Sequence, residues 1–195
     1  MVNKLADHHE CPLDKYLFRF IDNHLHIYHN LGITPNMVTT LSFIFGLFAA
    51  YQVLQRHLLL AIICWLLSYY FDCVDGKLAR KYNQITTFGD YYDHVCDFIK
   101  YSALLFALIK SNRKKISSKQ WSYLGIIIVL LFLSFIHMGY QETIYNKKHE
   151  SSWLNMCTII SSYDPNPERT IQYTKYFGCG NIIIGFVLLI IFWRK

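Results

Sequence analysis

Long apolar blocks broken by short polar stretches set the pattern of this chain. Five of them read as membrane spans: about Met37–Leu54, Leu58–Val74, Phe88–Ile109, Trp121–Gly139, and a last run, Ile182–Trp193, that reaches spanning length only if its helix begins near Thr174. A sixth stretch within 151–170 is short and polar for a span. Ahead of them, Leu13, Tyr16, Leu17, Phe20, Ile21, His24 and Tyr28 recur at helical spacing in a segment too polar to cross a bilayer. That pattern predicts an amphipathic helix. It either lies in the membrane interface, with Lys15 and Arg19 reaching headgroups, or packs on the body of the protein. Gly32 to Asn36 ends it; Thr34 suits the cap of the next helix and Pro35 its first turn.

The expectation is therefore an all-α, polytopic transmembrane helical bundle of about six spans plus an N-terminal amphipathic helix. It divides into residues 1–36 (helix and linker) and 37–195 (transmembrane domain). Composition agrees. Of the 195 residues, 53% are hydrophobic and only 16% charged, against about 25% charged in ordinary soluble domains. A disordered chain, a coiled coil and a soluble α/β enzyme are all excluded on that basis. The formal charge of +6 is accounted for by loop cations flanking spans. No run looks like a nucleic-acid patch, so no nucleic-acid partner is expected. Six cysteines are scattered without a CxxC, and most read as small buried hydrophobes. The first 30 residues hold acids and several histidines rather than the apolar core of a cleavable leader. Loop charge does not decide orientation: with the N-terminus in the cytoplasm, Lys77, Arg80 and Lys81 fall inside but five cations of 110–120 fall outside.

Acidic side chains change the picture. There are 13, and five fall between Asp72 and Asp97. Asp72 and Asp75 are three apart at the end of the second span; Asp93 and Asp97 are four apart at the start of the third, so each pair faces one side of its helix. If the two helices are antiparallel neighbours, all four carboxylates point at one another near the membrane surface. Such a group repels itself unless cations enter it. An all-oxygen donor set with an incomplete shell suits Mg²⁺ or Mn²⁺, one ion or two, which also bind phosphates. The competing account pairs these acids with Lys77, Arg80 and Lys81. Gly76 and Ala79 remove bulk beside the acids, Gly89 continues the same face, and Arg80 offers a fork of donors to a phosphate.

The spacing Asp72-x2-Asp75-Gly76-x2-Ala79-Arg80-x8-Gly89-x3-Asp93-x3-Asp97 resembles the signature of the CDP-alcohol phosphotransferases (CDP-alcohol phosphatidyltransferases) at every fixed position. Thr34-Pro35-Asn36-x2-Thr39 resembles the family more loosely. The resemblance implies a six-span core that usually forms a homodimer and moves a substituted phosphate from a CDP-linked donor to a hydroxyl, releasing CMP. It implies Asp72, Asp75, Asp93 and Asp97 as metal-holding acids, with Asp97 as general base. It also places Gly76, Ala79, Arg80, Gly89, Asn36 and Thr39 by the nucleotide and phosphates.

Two donor classes share the signature. Asp93-His94-Val95-Cys96-Asp97 and Gly76-Lys77-x-Ala79-Arg80 resemble the branch that joins CDP-choline or CDP-ethanolamine to diacylglycerol. His137-x3-Gln141 with Glu142 is faintly similar to a later stretch of the same enzymes. The lean is to that branch, with an endoplasmic reticulum setting by analogy if the source is eukaryotic. The alternative is CDP-diacylglycerol as donor with inositol, serine or glycerol phosphate as acceptor, and the chain's shortness favours it. His94 is a second candidate catalytic residue; a histidine hydrogen-bonded at a helix start is the plainer reading. A reading of another class, a non-enzymatic metal transporter or scaffold, would spread its acids over several helices around a midplane cavity.

Overall fold

The computed structural model describes residues 5–6, 8–111, 116–145 and 157–193, and among these every regular element is helical. Helix α1 spans Pro12–Asn30. Gly32, at φ +71°, turns the chain to Thr34, whose hydroxyl caps α2 (Pro35–Leu54) by accepting from the Met37 amide. Arg56 is left-handed in the tight turn to α3, Leu58–Lys81. Asn83 is left-handed too, as suits its short polar side chain. It reverses the chain into α4, Thr87–Ser111. Helix α5 covers Ser118–Tyr145. It opens with a capping box, the Ser117 amide donating to Gln120 Oε1 at 2.9 Å and the Gln120 amide to Ser117 Oγ at 3.3 Å.

The stretch around 151–170 is described from 157 onward. There it forms a single turn, α6 (Thr158–Ser161), and then α7 (Pro167–Thr174), which leads into the last crossing. Pro165 and Pro167 interrupt any continuous helix. Asp164 fixes the bend, accepting from Tyr140 Oη at 2.8 Å and Thr170 Oγ1 at 2.5 Å. These hydrogen bonds hold its carboxyl below the ordinary range. The last crossing is also segmented: after α7 come a 3₁₀ turn (Lys175–Phe177), an extended Gly178, and α8, Cys179–Trp193.

Four stretches are long and apolar enough to cross a membrane among the described residues: α2, α3, α5 and 167–193. Helix α4 has 25 residues, about 37 Å, and reaches as far; its charged residues set it apart in composition. The protein is an integral membrane protein. Its trunk is an apolar core in which Trp65 of α3, Leu104 and Leu108 of α4, and Phe186 and Ile190 of α8 are all fully buried together. Large apolar side chains point outward along the trunk, among them Ile126, Ile128 and Phe132 of α5. This is the arrangement expected where lipid is the solvent.

Helix α2 packs along both α3 and α4, while α3 and α4 make few close backbone contacts with each other. The two acid-bearing helices therefore face one another across a gap floored by α2. Helix α1 packs on α3 and α8, burying Ile21 and Leu25 against Val38, Val74 and Leu78. Tyr16 and Phe20 stay exposed on its other side.

Candidate active site: an acid-lined pocket between α2, α3 and α4

The gap between α3 and α4 opens into a pocket of about 310 Å³. Each residue that the sequence motif nominates lines it: Asn36 and Thr39 from α2; Asp72, Asp75, Gly76, Ala79 and Arg80 from α3; and Gly89, Asp93, His94 and Asp97 from α4. The far wall comes from Met138 and Gln141 of α5 and Cys179 at the start of α8.

Helical spacing places the acids. Asp72, Asp93 and Asp97 each present an oxygen within 4.8 Å of the others. Asp75 stands deeper and outside this trio, 5% exposed, its Oδ2 accepting from Thr39 Oγ1 at 2.6 Å. Asp93 Oδ1 and Asp90 Oδ2 are buried with no hydrogen-bond partner. Buried carboxylate oxygens left in this way are costly unless a cation or donor meets them. The donor set is all oxygen and part of it is unsatisfied, so the residues present fit a hard divalent cation.

Small residues set the shape. A Cβ at Gly89 would stand 2.9 Å from Asn36 Oδ1 and 3.0 Å from Thr86 Oγ1, so only glycine lets Asn36 of α2 approach this turn of α4. At Gly76 the nearest group is the Arg80 guanidinium, 3.1 Å from the same construction; one turn of helix folds the arginine back over the glycine.

His94 donates from Nδ1 to its own helix, to the Asp90 carbonyl at 2.7 Å. The residue also lines the pocket wall. The ring is thus both a helix-start histidine and a pocket residue. Glu142 is 1% exposed and is not among the lining residues, whereas its neighbour Gln141 is. Gln141 Nε2 donates to His137 Nε2 at 2.8 Å, and His137 Nδ1 in turn faces Thr174 Oγ1 at 3.0 Å. A buried histidine thus orients the pocket amide.

Two cations stand differently from the pairing considered in the sequence. Lys77 does not meet the pocket acids. It points the other way, bonding Asp22 Oδ1 of α1 at 2.6 Å and the Phe18 carbonyl at 3.2 Å. The lysine that does meet them is Lys100, with Nζ 2.7 Å from Asp72 Oδ1 and 2.6 Å from Asp97 Oδ1. The motif does not include Lys100. Its signal was a lone cation inside the apolar run 98–108, one helical turn after Asp97. Met138, Gln141 and Cys179 reach the pocket only through long-range packing, for which the local pattern carries no sign.

The family profile for CDP-alcohol phosphatidyltransferase matches residues 32–192. The chain is 33% identical over 79 residues to an archaetidylinositol phosphate synthase of Pyrococcus horikoshii, covering 40% of this chain and 42% of that protein. It is 30% identical over 89 residues to an uncharacterized protein of Aquifex aeolicus, covering 44% and 43%. The chain therefore aligns with less than half the length of these curated relatives. No solved structure matches it.

Proposed function

The chain belongs to the CDP-alcohol phosphatidyltransferase family, and from that premise we propose that it transfers a substituted phosphate from a CDP-linked donor to an alcohol and releases CMP. The observation that carries this reading is the trio of facing carboxylates, with Asp93 Oδ1 buried and unpartnered, walled by the glycines and the arginine of the motif. A soluble diphosphate fits such a place only with cations between it and the acids. Asp72, Asp93 and Asp97, with Asp75 behind them, would hold one or two Mg²⁺ or Mn²⁺ ions. When bound, these neutralise the diphosphate and make CMP a better leaving group.

The remaining work falls to the chain. Asn36, Thr39, Gly76, Ala79 and Gly89 leave room for the cytidine and its phosphates, and Arg80 supplies a forked donor to them. Asp97 accepts the proton of the acceptor hydroxyl. The new bond forms between that oxygen and the β-phosphorus, the bond to the bridging oxygen breaks in line, and CMP departs. His94, on the pocket wall, is the second candidate for the proton.

Of the two donor classes, the reading taken forward is a CDP-linked lipid donor, CDP-diacylglycerol or its like. Its acceptor is a water-soluble alcohol such as inositol, serine, glycerol phosphate or an inositol phosphate. The Pyrococcus relative, by its name a synthase of archaetidylinositol phosphate, supports it, and this reverses the lean of the sequence. The second reading, CDP-choline or CDP-ethanolamine with diacylglycerol as acceptor, keeps the support of the Asp93–Asp97 segment and of the pocket position of His94. The large apolar side chains exposed along the trunk place either lipid within lateral reach. Residues 1–36 would form an interfacial unit beside the transmembrane domain, with Tyr16 and Phe20 at headgroup level. The domain would pair as a homodimer.

Purified protein, given with Mn²⁺ either radiolabelled CDP-diacylglycerol and a water-soluble alcohol or radiolabelled CDP-choline or CDP-ethanolamine and diacylglycerol, is expected to release CMP from the first donor. Release only from the amino-alcohol donors would install the second reading. No release from any donor by folded protein would reject the enzyme and favour a metal transporter or scaffold.

A further inference from the structure

Lys100 is 3% exposed, in the middle of α4. Its Nζ bonds Asp72 of α3, Asp97 of its own helix, and Ser42 Oγ of α2 at 3.0 Å. The seat is built for it. A Cβ at Gly46 would stand 2.9 Å from the lysine Cβ and 3.1 Å from its Cδ, so glycine on α2 makes the channel for the stem. Ser68 Oγ donates to the Ser42 carbonyl at 2.8 Å, which holds α3 and α2 together beneath the ammonium. Three helices thus converge on one buried charge. Two of the three carboxylates that could hold an ion are those it bridges.

We infer that Lys100 is the resident counter-ion of the carboxylate cluster, a positioning residue that ties the α3 acid to the α4 acid and sets how strongly the cluster takes up divalent ions. This rests on the reading of the cluster as a metal site. A fixed positive charge between Asp72 and Asp97 holds their helices at the spacing the site needs, and it opposes every further cation that enters.

Mn²⁺ titration by electron paramagnetic resonance, with thermal unfolding in EDTA, tests this on the full chain in detergent. Lys100→Met and Lys100→Gln are each expected to bind Mn²⁺ at least about tenfold more tightly than wild type, because a unit charge a few ångströms from the ion is gone. In EDTA both unfold at lower temperature, and Mn²⁺ restores the difference. Lys100→Arg, which keeps the charge, stays near the wild-type affinity. An affinity unchanged within about twofold in the neutral variants, with equal loss of stability in EDTA and in Mn²⁺, overturns the inference and leaves Lys100 a packing residue, the metal site standing. Absence of Mn²⁺ binding by wild type rejects the metal site and the inference together. If the neutral variants do not fold, Lys100→Met/Asp97→Asn, which removes one charge of each sign, is expected to recover folding; failure to recover it also overturns the inference.

Discussion

Two buried lysines, one on each acid-bearing helix, do opposite things. Lys77 of α3 meets a single carboxylate, Asp22, and a backbone carbonyl, and its ammonium lies over the Phe18 ring. Charge there is balanced one to one, and the pair docks α1 on the bundle. Lys100 of α4 meets Asp72 and Asp97, which line a pocket together with Asp75, Asp90 and Asp93. Even with Arg80 on the same wall, the acids outnumber the fixed cations there. A buried pair that closes its own account is architecture. A buried cluster left with negative charge is a place for visiting cations.

The sharpest way to break this comparison is to neutralise one acid in each place. Asp97→Asn is expected to lower CMP release by about 10²–10⁴, read by radiolabelled donor turnover, with the protein still folded. Asp22→Asn should leave turnover per folded molecule near wild type. On the tether side, Lys77→Met is expected to cost about 2–3 kcal/mol of stability, because Asp22 and the Phe18 carbonyl lose their partner. That loss is measured as the apparent Tm in detergent, while Mn²⁺ binding is retained. Gly89→Ala comes next: the added methyl meets Asn36 Oδ1 at 2.9 Å. A rise of a few-fold to about tenfold in KM for the CDP donor is expected, equivalent to about 1 kcal/mol.

A further effect, on stability alone, concerns pH. Glu10, just ahead of α1, is 5% exposed. Burial first and the nearby Asp14 second push its carboxyl up to about 7. The folded protein thus holds a proton there that the unfolded chain releases near the ordinary value of 4.5. Stability from this group is full below that value and falls as pH rises toward about 7, by at most about 3 kcal/mol. Glu10→Gln is expected to flatten that part of the stability curve between pH 4.5 and 7. An unchanged slope would remove Glu10 from the account.

Much of this was legible in the residues, for a physical reason in each case. Spans announce themselves because a bilayer demands about 20 apolar residues in sequence. The acids announce themselves because helical spacing converts i, i+3 and i+4 into one face. The capping role of Thr34 and the close approach at Gly89 also follow from local chemistry. What stayed hidden depends on distance in space. Lys77 read as a loop cation or a partner of the motif acids, because nothing local says that α1 folds back with Asp22. Helix α2 read as a simple span, although Ser42 and Gly46 on it seat Lys100. The region 151–170 read as a short, polar candidate span; among its described residues, Pro165, Pro167 and the Asp164 network make a bend. Met138, Gln141 and Cys179 close the pocket from helices far along the chain.

The central claim is that the surplus of carboxylates between α3 and α4 binds divalent ions. Mn²⁺ titration of wild type beside Asp93→Asn and Asp22→Asn, followed by electron paramagnetic resonance, tests it most directly. The account expects wild type and Asp22→Asn to bind alike and Asp93→Asn to lose at least about tenfold in affinity. Equal binding by all three, or none by wild type, would contradict it.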